Sequence, residues 1–307
     1  MATFTQTAPM HQTLRAAFLI LGYAMAIGFT DNFVQVIARD AGLWQFHATR
    51  TAMGFVLLGV AAKLFGFRLR PVRVGAVAVR SALHGTAMVI YFGCLAFLPV
   101  ATVAAGLFTA PIFTIVISRV AFGIPIGPFR VVAVLFGFAG AILVLGPGQG
   151  AVAGAATVLP IAAGGLYALG NIATRQWCEG ESAGTLLMGF FAALGLFGLI
   201  GMVVLAVWQP DVPDGADGFI LRGAVWPTVG FLFWTFVQAA GSLLGVGMMI
   251  RAYQVAEASR VAIFEYVILP ASALWAYLLW GNVLGGQAAL GIVMIFAAGL
   301  IIALRGR

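Results

Sequence analysis

"AIGFTDNFVQV", residues 26–36, lies inside a run that is otherwise apolar from Ala16 to Ala38. About 20 apolar residues cross the hydrocarbon core of a bilayer, so this run is long enough to span one. Asp31, Asn32 and Gln35 are then out of place. A carboxylate in hydrocarbon is costly unless it meets a partner or faces an aqueous interior. How this stretch is read depends on whether the rest of the chain has the same character.

It does. The chain has 307 residues, 63% of them hydrophobic and 8% charged. Soluble domains carry about 25% charged residues, and so sparse a set cannot cover a water-facing surface. The longest polar gap, around residues 209–224, is too short for a soluble domain. The net charge of +7 reflects orientation in a membrane rather than affinity for nucleic acid. The "AMA" at 24–26 resembles a signal-peptide cleavage site, but the apolar run continues past it, and a retained first helix is expected.

Ten apolar runs follow the spanning pattern: 15–38, 46–67, 74–97, 100–121, 129–146, 158–175, 184–208, 226–250, 260–280 and 286–304. Gly, Pro and charge clusters separate them, among them "GFRLRPVR" (66–73), "GIPIGP" (123–128), "GPGQGAVAG" (146–154) and "QPDVPDGADG" (209–218). With the N-terminus in the cytoplasm, thirteen Lys and Arg, from Arg15 and Lys63 to Arg305 and Arg307, fall on the cytoplasmic side. Arg39, Arg50 and Arg222 fall opposite. Both termini are therefore expected in the cytoplasm. Trp44, Trp208, Trp226 and Trp280 sit at outer helix ends. Cys94 and Cys178 fall on opposite sides and are expected unpaired.

The halves resemble each other. At an offset of 159, "FTAPIFTIVISRVAFGIPIG" (108–127) meets "VILPASALWAYLLWGNVLGG" (267–286), aligning Pro111 with Pro270 and Gly127 with Gly286. Gly140 likewise meets Gly299. Five helices per half is an odd number, so the second half inserts upside down. The expected fold is an all-α membrane protein of ten transmembrane helices in two five-helix inverted-topology repeats. They are residues 1–147 and 158–307, joined by a loop at 148–157. Inverted repeats are a secondary-transporter architecture with a binding site near the midplane.

The chain resembles the drug/metabolite transporter superfamily, in its ten-helix EamA type. The resemblance rests on "GFTDNFVQVIARDAG" (28–42), on "QFHATRTAMGFVLL" (45–58), and on "AFLPVATVAAGLFTAPIF" (96–113) recurring as "QVAEASRVAIFEYVILPAS" (254–272). A Gly-Glu pair usual in the family is absent: the corresponding stretches read "FGIPIG" and "WGNVLG", with Asn282 at one site. The resemblance implies export of amino acids, drugs and other small metabolites by alternating access across the bacterial inner membrane. The overall pattern is similar to the YddG-type amino-acid exporter branch, which implies aromatic and other neutral amino acids as substrates. The alternatives are another small metabolite, a drug-like cation, or an intramembrane lipid-handling protein or enzyme.

Polar residues within the helices mark the interior. Asp31 and Asn32 share a stripe with Gly28 and Gln35; Arg80, His84 and Tyr91 share one in the third run. Tyr167 and Asn171 lie one turn apart in the sixth. Trp234, Gln238 and Ser242 line the eighth, and Glu265 lies in the ninth. The second, fifth, seventh and tenth runs are nearly bare of such groups, so the others are expected to line the cavity. Tyr167, Asn171, Trp234, Gln238, Ser242, Asp31, Asn32, His84 and Tyr91 are the expected substrate contacts. Asp31 is expected to bind a proton or a substrate ammonium, and Arg80 and Glu265 to form a gating ion pair on the cytoplasmic side. Each of these groups also has a plain packing role open to it. No P-loop or "HExxH" occurs, and no enzyme, metal, cofactor or nucleic-acid role is expected. The expected partners are a small-molecule substrate, the lipid bilayer and protons, with the protein acting as a monomer.

Overall fold

The computed structural model describes residues 10–94, 100–145, 158–281, 283 and 285–305. The loop expected at 148–157, Asn282, Arg307 and the side chain of Gln35 lie outside the described residues. Among the described residues every regular element is helical. In chain order they are α1 (Met10–Asp31), α2 (Val34–Asp40), α3 (Leu43–Phe65), α4 (Val74–Cys94), α5 (Val100–Leu107), α6 (Ala110–Val120) and α7 (Pro128–Leu145). They continue as α8 (Val158–Gln176), α9 (Ala183–Trp208), α10 (Val229–Val255), α11 (Ala258–Phe264), α12 (Ile268–Trp280) and α13 (Gly286–Arg305).

Taking α1–α2, α5–α6 and α11–α12 as single passages, nine helices among the described residues are long and apolar enough to cross a membrane. The chain is a multi-pass membrane protein. α8 is the expected span outside that set: Tyr167, Asn171, Thr174 and Arg175 lower its apolarity, and Tyr167, Asn171 and Thr174 are turned inward and buried. Elsewhere large apolar side chains face outward. Val207 on α9 is 82% exposed, and Phe296, Leu300 and Leu304 on α13 are exposed too. In water such a surface would aggregate; in lipid it is matched to its solvent.

The ends of the helices follow local chemistry. Ser182 and Thr228 cap α9 and α10, accepting the N–H of Thr185 at 2.9 Å and of Phe231 at 3.0 Å. Gly66 (φ 68°) and Gly281 (φ 70°) stop α3 and α12 in the left-handed conformation that glycine adopts readily. Three passages are broken inside the bundle. α1 and α2 part at Asn32–Phe33, where the Asn32 amide donates to the Gly28 carbonyl at 2.7 Å. α5 and α6 part at Phe108–Thr109, because Pro111 has no N–H to offer Leu107. α11 and α12 part at a single 3₁₀ turn, Glu265–Val267, because Pro270 has none to offer Tyr266. The last two breaks occupy equivalent places in the two halves.

Neighbours in space cross between the halves. α1 packs along α10 and α12, and α4 along α8, which also lies against α5 and α6. α3 pairs with α9 and α7 with α13. α7 and α13 cross with Gly140 and Gly291 back to back. Each faces the other's carbonyl oxygen where a methyl group would collide, the close approach that small residues permit between membrane helices.

Both ends of the bundle are tied. At the arginine-rich end, Glu181 accepts the N–H groups of Val72 (2.7 Å) and Arg73 (2.6 Å), and Arg68 approaches it at 3.8 Å. Nearby, Arg130 pairs with Glu257 and donates to Ser259 at 2.9 Å. At the opposite end, Gln45 exchanges two hydrogen bonds with the backbone of Val225 (2.8 and 2.9 Å), and the Arg222 guanidinium donates to the carbonyl of Ala38 at 2.7 Å.

His47 is fully buried, and neither of its ring nitrogens has a hydrogen-bond partner among the described residues. Trp44 is half-buried; it donates to the Ile220 carbonyl at 2.9 Å and its ring lies against Gly201. Arg50 and Arg80 are buried in the bundle and do not flank it. They drop out of the charge count, one from each side, and the asymmetry survives. Cys94 and Cys178 are both buried free thiols.

Candidate functional site

Two polar networks cross the apolar bundle. The first joins α1, α10 and α3. The Gln238 amide donates to the Asp31 carboxylate at 3.0 Å, and its carbonyl accepts from Ser242 at 3.3 Å. Ser242 in turn accepts from Arg50 at 2.5 Å. Gln238 and Ser242 are four residues apart and so share one face of α10. A carboxylate and a guanidinium thus stand at the two ends of a neutral row. Gln238, Ser242 and Arg50 are buried, yet the Asp31 side chain is exposed. Its hydrogen-bond partner Gln238 is an interior group, so the row runs from an exposed carboxylate into the bundle. Arg50 is steadied by aromatic faces, its guanidinium carbon 5.6 Å from the ring centres of both Phe46 and Phe191.

Aromatic rings crowd the α1–α2 break. Phe33 stacks on Trp234, with centroids 3.8 Å apart and planes at 12°. Phe33 also meets Trp280 edge-on, and Phe29 meets Trp275. Trp275 donates to the Met25 carbonyl at 3.0 Å, tying α12 to α1.

The second network lies deeper and centres on Glu265 in the α11–α12 break. Tyr167 donates to Oε2 at 2.9 Å, Asn171 Nδ2 donates to Oε1 at 3.2 Å, and Tyr253 also donates to Oε1. Behind Asn171, its Oδ1 lies 2.9 Å from His84 Nε2. The imidazole fits because Gly170 is beside it, where a side chain would strike the ring. Tyr167 and Asn171 sit one turn apart on α8, so a single helix face serves both Glu265 and His84.

The expected site residues fall out unevenly. Asp31, Gln238 and Ser242 come together in the first network; Tyr167, Asn171, His84 and Glu265 in the second. Trp234 belongs to the aromatic cluster. Asn32 is committed to the break in α1, and half-buried Tyr91 packs beside Cys94 and Val103 at the end of α4. The expected Arg80–Glu265 ion pair does not form. Arg80 is buried and donates to Thr174 Oγ1 at 3.0 Å and the Leu186 carbonyl at 3.1 Å. Those acceptors on α8 and α9 lie closer along α4's inner face than the α11–α12 break does, and Glu265 is already enclosed by its three donors.

Two contributors went unrecognised in the sequence. Arg50, seven residues into α3, reads as a flanking charge at about 10 Å depth, although the expectation of a bare second run should have made it conspicuous. Tyr253 continues the α10 stripe through Gln238, Ser242, Gly245 and Met249 at steps of three and four, a periodicity that was available to find it.

A polar row with opposite charges at its ends and an aromatic cluster beside it can hold a small amphipathic molecule. It offers none of the paired nucleophile and base that covalent chemistry requires. Similar proteins carry transporter names. An uncharacterized transporter of Helicobacter pylori strain ATCC 700392 / 26695 is 24% identical over 93% of each chain. A riboflavin transporter of Vibrio cholerae is 26% identical over 93% of this chain and 91% of its own length. Another from Rhizobium johnstonii is 28% identical over 86% and 80%. A crystal structure 17% identical in sequence superposes with a TM-score of 0.73 over 96% of this chain and 98% of its own, a likeness of fold. Residues 14–146, from within α1 to just past α7, match the model of the EamA-like transporter family.

Proposed function

We propose that this protein is a secondary transporter that moves a small, polar, ring-bearing metabolite across the bacterial inner membrane by alternating access. The observation that carries the reading is the Asp31–Gln238–Ser242–Arg50 row, a line of hydrogen-bonding groups running from an exposed carboxylate to a buried guanidinium between helices whose outer faces are apolar. Polar groups so placed mark substrate pathways in membrane proteins. The breaks at Pro111 and Pro270 add support, because discontinuous helices in equivalent places of two halves build transporter binding sites. The scaffold we propose is ten spans in two inverted repeats, 1–147 and 158–307, with both termini cytoplasmic and the protein acting as a monomer. The reciprocal pairing of α1 with α10 and α4 with α8 is what a pseudo-twofold axis in the membrane plane would generate.

For the substrate, the Phe33–Trp234 stack favours a planar ring, and two relatives are named riboflavin transporters. A flavin-like heteroaromatic is the first candidate. An aromatic or other neutral amino acid moving outward is the second reading, favoured by one observation: Asp31 and Arg50 at opposite ends of the row match the ammonium and carboxylate of a zwitterion. Counterflow into proteoliposomes preloaded with unlabelled compound, using labelled riboflavin and labelled tryptophan, tests both. Exchange of one over the other assigns the class. No exchange of either, nor of a wider panel of amino acids and heteroaromatics, overturns the transporter reading.

A further inference from the structure

The Glu265 cage has no place in substrate contact by the first network, and it poses its own question. Glu265 is 8% exposed, lies in the one 3₁₀ turn of a broken membrane passage, and forms no ion pair among the described residues. Its neighbours are known on every side. Tyr167 and Asn171 face it from α8, Tyr253 and Met249 from α10, and Tyr23 stands behind Tyr167 on α1. His84 and then Arg80 lie beyond Asn171 on α4, Arg80 engaged with Thr174 and Leu186. Against the same turn, α7 and α13 offer Gly137, Ala141 and Ile295, none of them titratable. The three groups touching the carboxylate are hydrogen-bond donors, two hydroxyls and an amide N–H.

From this geometry, and resting on the transporter reading above, we infer that Glu265 is the proton-coupling site, separate from the substrate row. A bound metal cation would need oxygen lone pairs turned toward it, whereas this cage presents hydrogens. A proton needs only the carboxylate. When Glu265 takes one proton from the water on one side, an O–H bond forms, the negative charge is lost and nothing else is consumed. Releasing the proton to the other side restores the anion. The charged form holds α8 and α10 onto the α11–α12 break through charge-assisted hydrogen bonds, which are about twice as strong as neutral ones. Protonation weakens all three at once, at the place where the backbone is already interrupted by Pro270. The switch thus acts on a discontinuous helix, the element that transporters move. Asp31 lies outside this cage, bonded to Gln238 in the first network.

The test compares wild type with Glu265→Gln, which keeps size and one acceptor oxygen but cannot exchange a proton. In lipid, infrared difference spectra between acidic and alkaline buffer should show a carboxylic-acid carbonyl band that Glu265→Gln removes and Asp31→Asn leaves. In proteoliposomes, labelled riboflavin and tryptophan are the probes. Exchanging one proton per substrate, the wild type should sustain about tenfold accumulation per unit of imposed pH gradient. Glu265→Gln should retain counterflow and lose that accumulation, and Glu265→Asp should restore part of it. A band that persists in Glu265→Gln, or gradient-driven accumulation equal to wild type, overturns the assignment. Absence of counterflow for both probes in the wild type would count against the transporter reading instead, while the infrared band would still decide whether Glu265 takes up a proton.

Discussion

Gln238 is bonded in two directions, to Asp31 through its amide nitrogen and to Ser242 through its oxygen. It keeps a carboxylate and a guanidinium in one line without letting them collapse into a direct ion pair. Replacing it with leucine removes both bonds at nearly constant volume. Asp31 is exposed, so it is not left buried and unpartnered, and the stability cost should be small. A hydrogen bond to a charged group contributes roughly 1.5–3 kcal/mol. If the row contacts substrate, Gln238→Leu should slow counterflow about tenfold or more while the melting temperature of the purified protein stays close to wild type. A parallel loss of melting temperature and expression would mark Gln238 as bundle glue rather than site. Asp31 itself was conspicuous in the sequence as a lone carboxylate in an apolar run. Arg50 was not, because an arginine seven residues inside a helix looks the same in sequence as one that reaches back to the surface.

The elements that matter are the interrupted ones. α5–α6 and α11–α12 each stop and restart at a proline that cannot donate to the carbonyl four residues earlier. In α11–α12 the break also frees the turn that carries Glu265. Pro270→Ala restores the missing N–H and should let the passage approach a continuous helix. An interior proline costs a helix about 3 kcal/mol, so the variant should melt at the same temperature as wild type or higher. Its counterflow should be slower, since a continuous helix is stiffer where movement is needed. Faster or unchanged counterflow would show that the break is not a working hinge. The prolines were visible in the sequence and their correspondence at an offset of 159 suggested the repeat. The break in α1 was less legible: Asn32 read as a substrate contact, and only the fold shows its amide turned back onto Gly28.

At the scale of the whole molecule, orientation rests on charge. Removing the buried Arg50, Arg80, Arg130 and Arg260 from the count still leaves the Lys and Arg excess on the face that carries Lys63, Arg68 and Arg73. That face should be cytoplasmic. A reporter active only in the cytoplasm, fused after residue 307, should be active, and one active only in the periplasm should be silent. The reverse pattern would place that face on the outer side. The arginine-rich face is also the one tied by Glu181 to the N–H groups of Val72 and Arg73.

The sequence by itself determined the solvent and the passages. Composition required lipid, because 8% charged residues cannot cover a water-facing surface. Apolar runs bounded by Gly, Pro and charge put helix ends close to their final places, as with the run read at 184–208 and found as Ala183–Trp208. These are local properties, set by transfer free energy and backbone chemistry over one helix at a time. Which polar groups meet was decided by the tertiary structure alone. Helical spacing gives the face of one helix, but the partner depends on how two helices cross and how far each side chain reaches. Arg80 and Glu265, at one expected depth and of opposite charge, met all the requirements visible in sequence. The packing of α4 on α8 and α9 instead gave Arg80 to Thr174 and Leu186 and left Glu265 to two tyrosines and an asparagine.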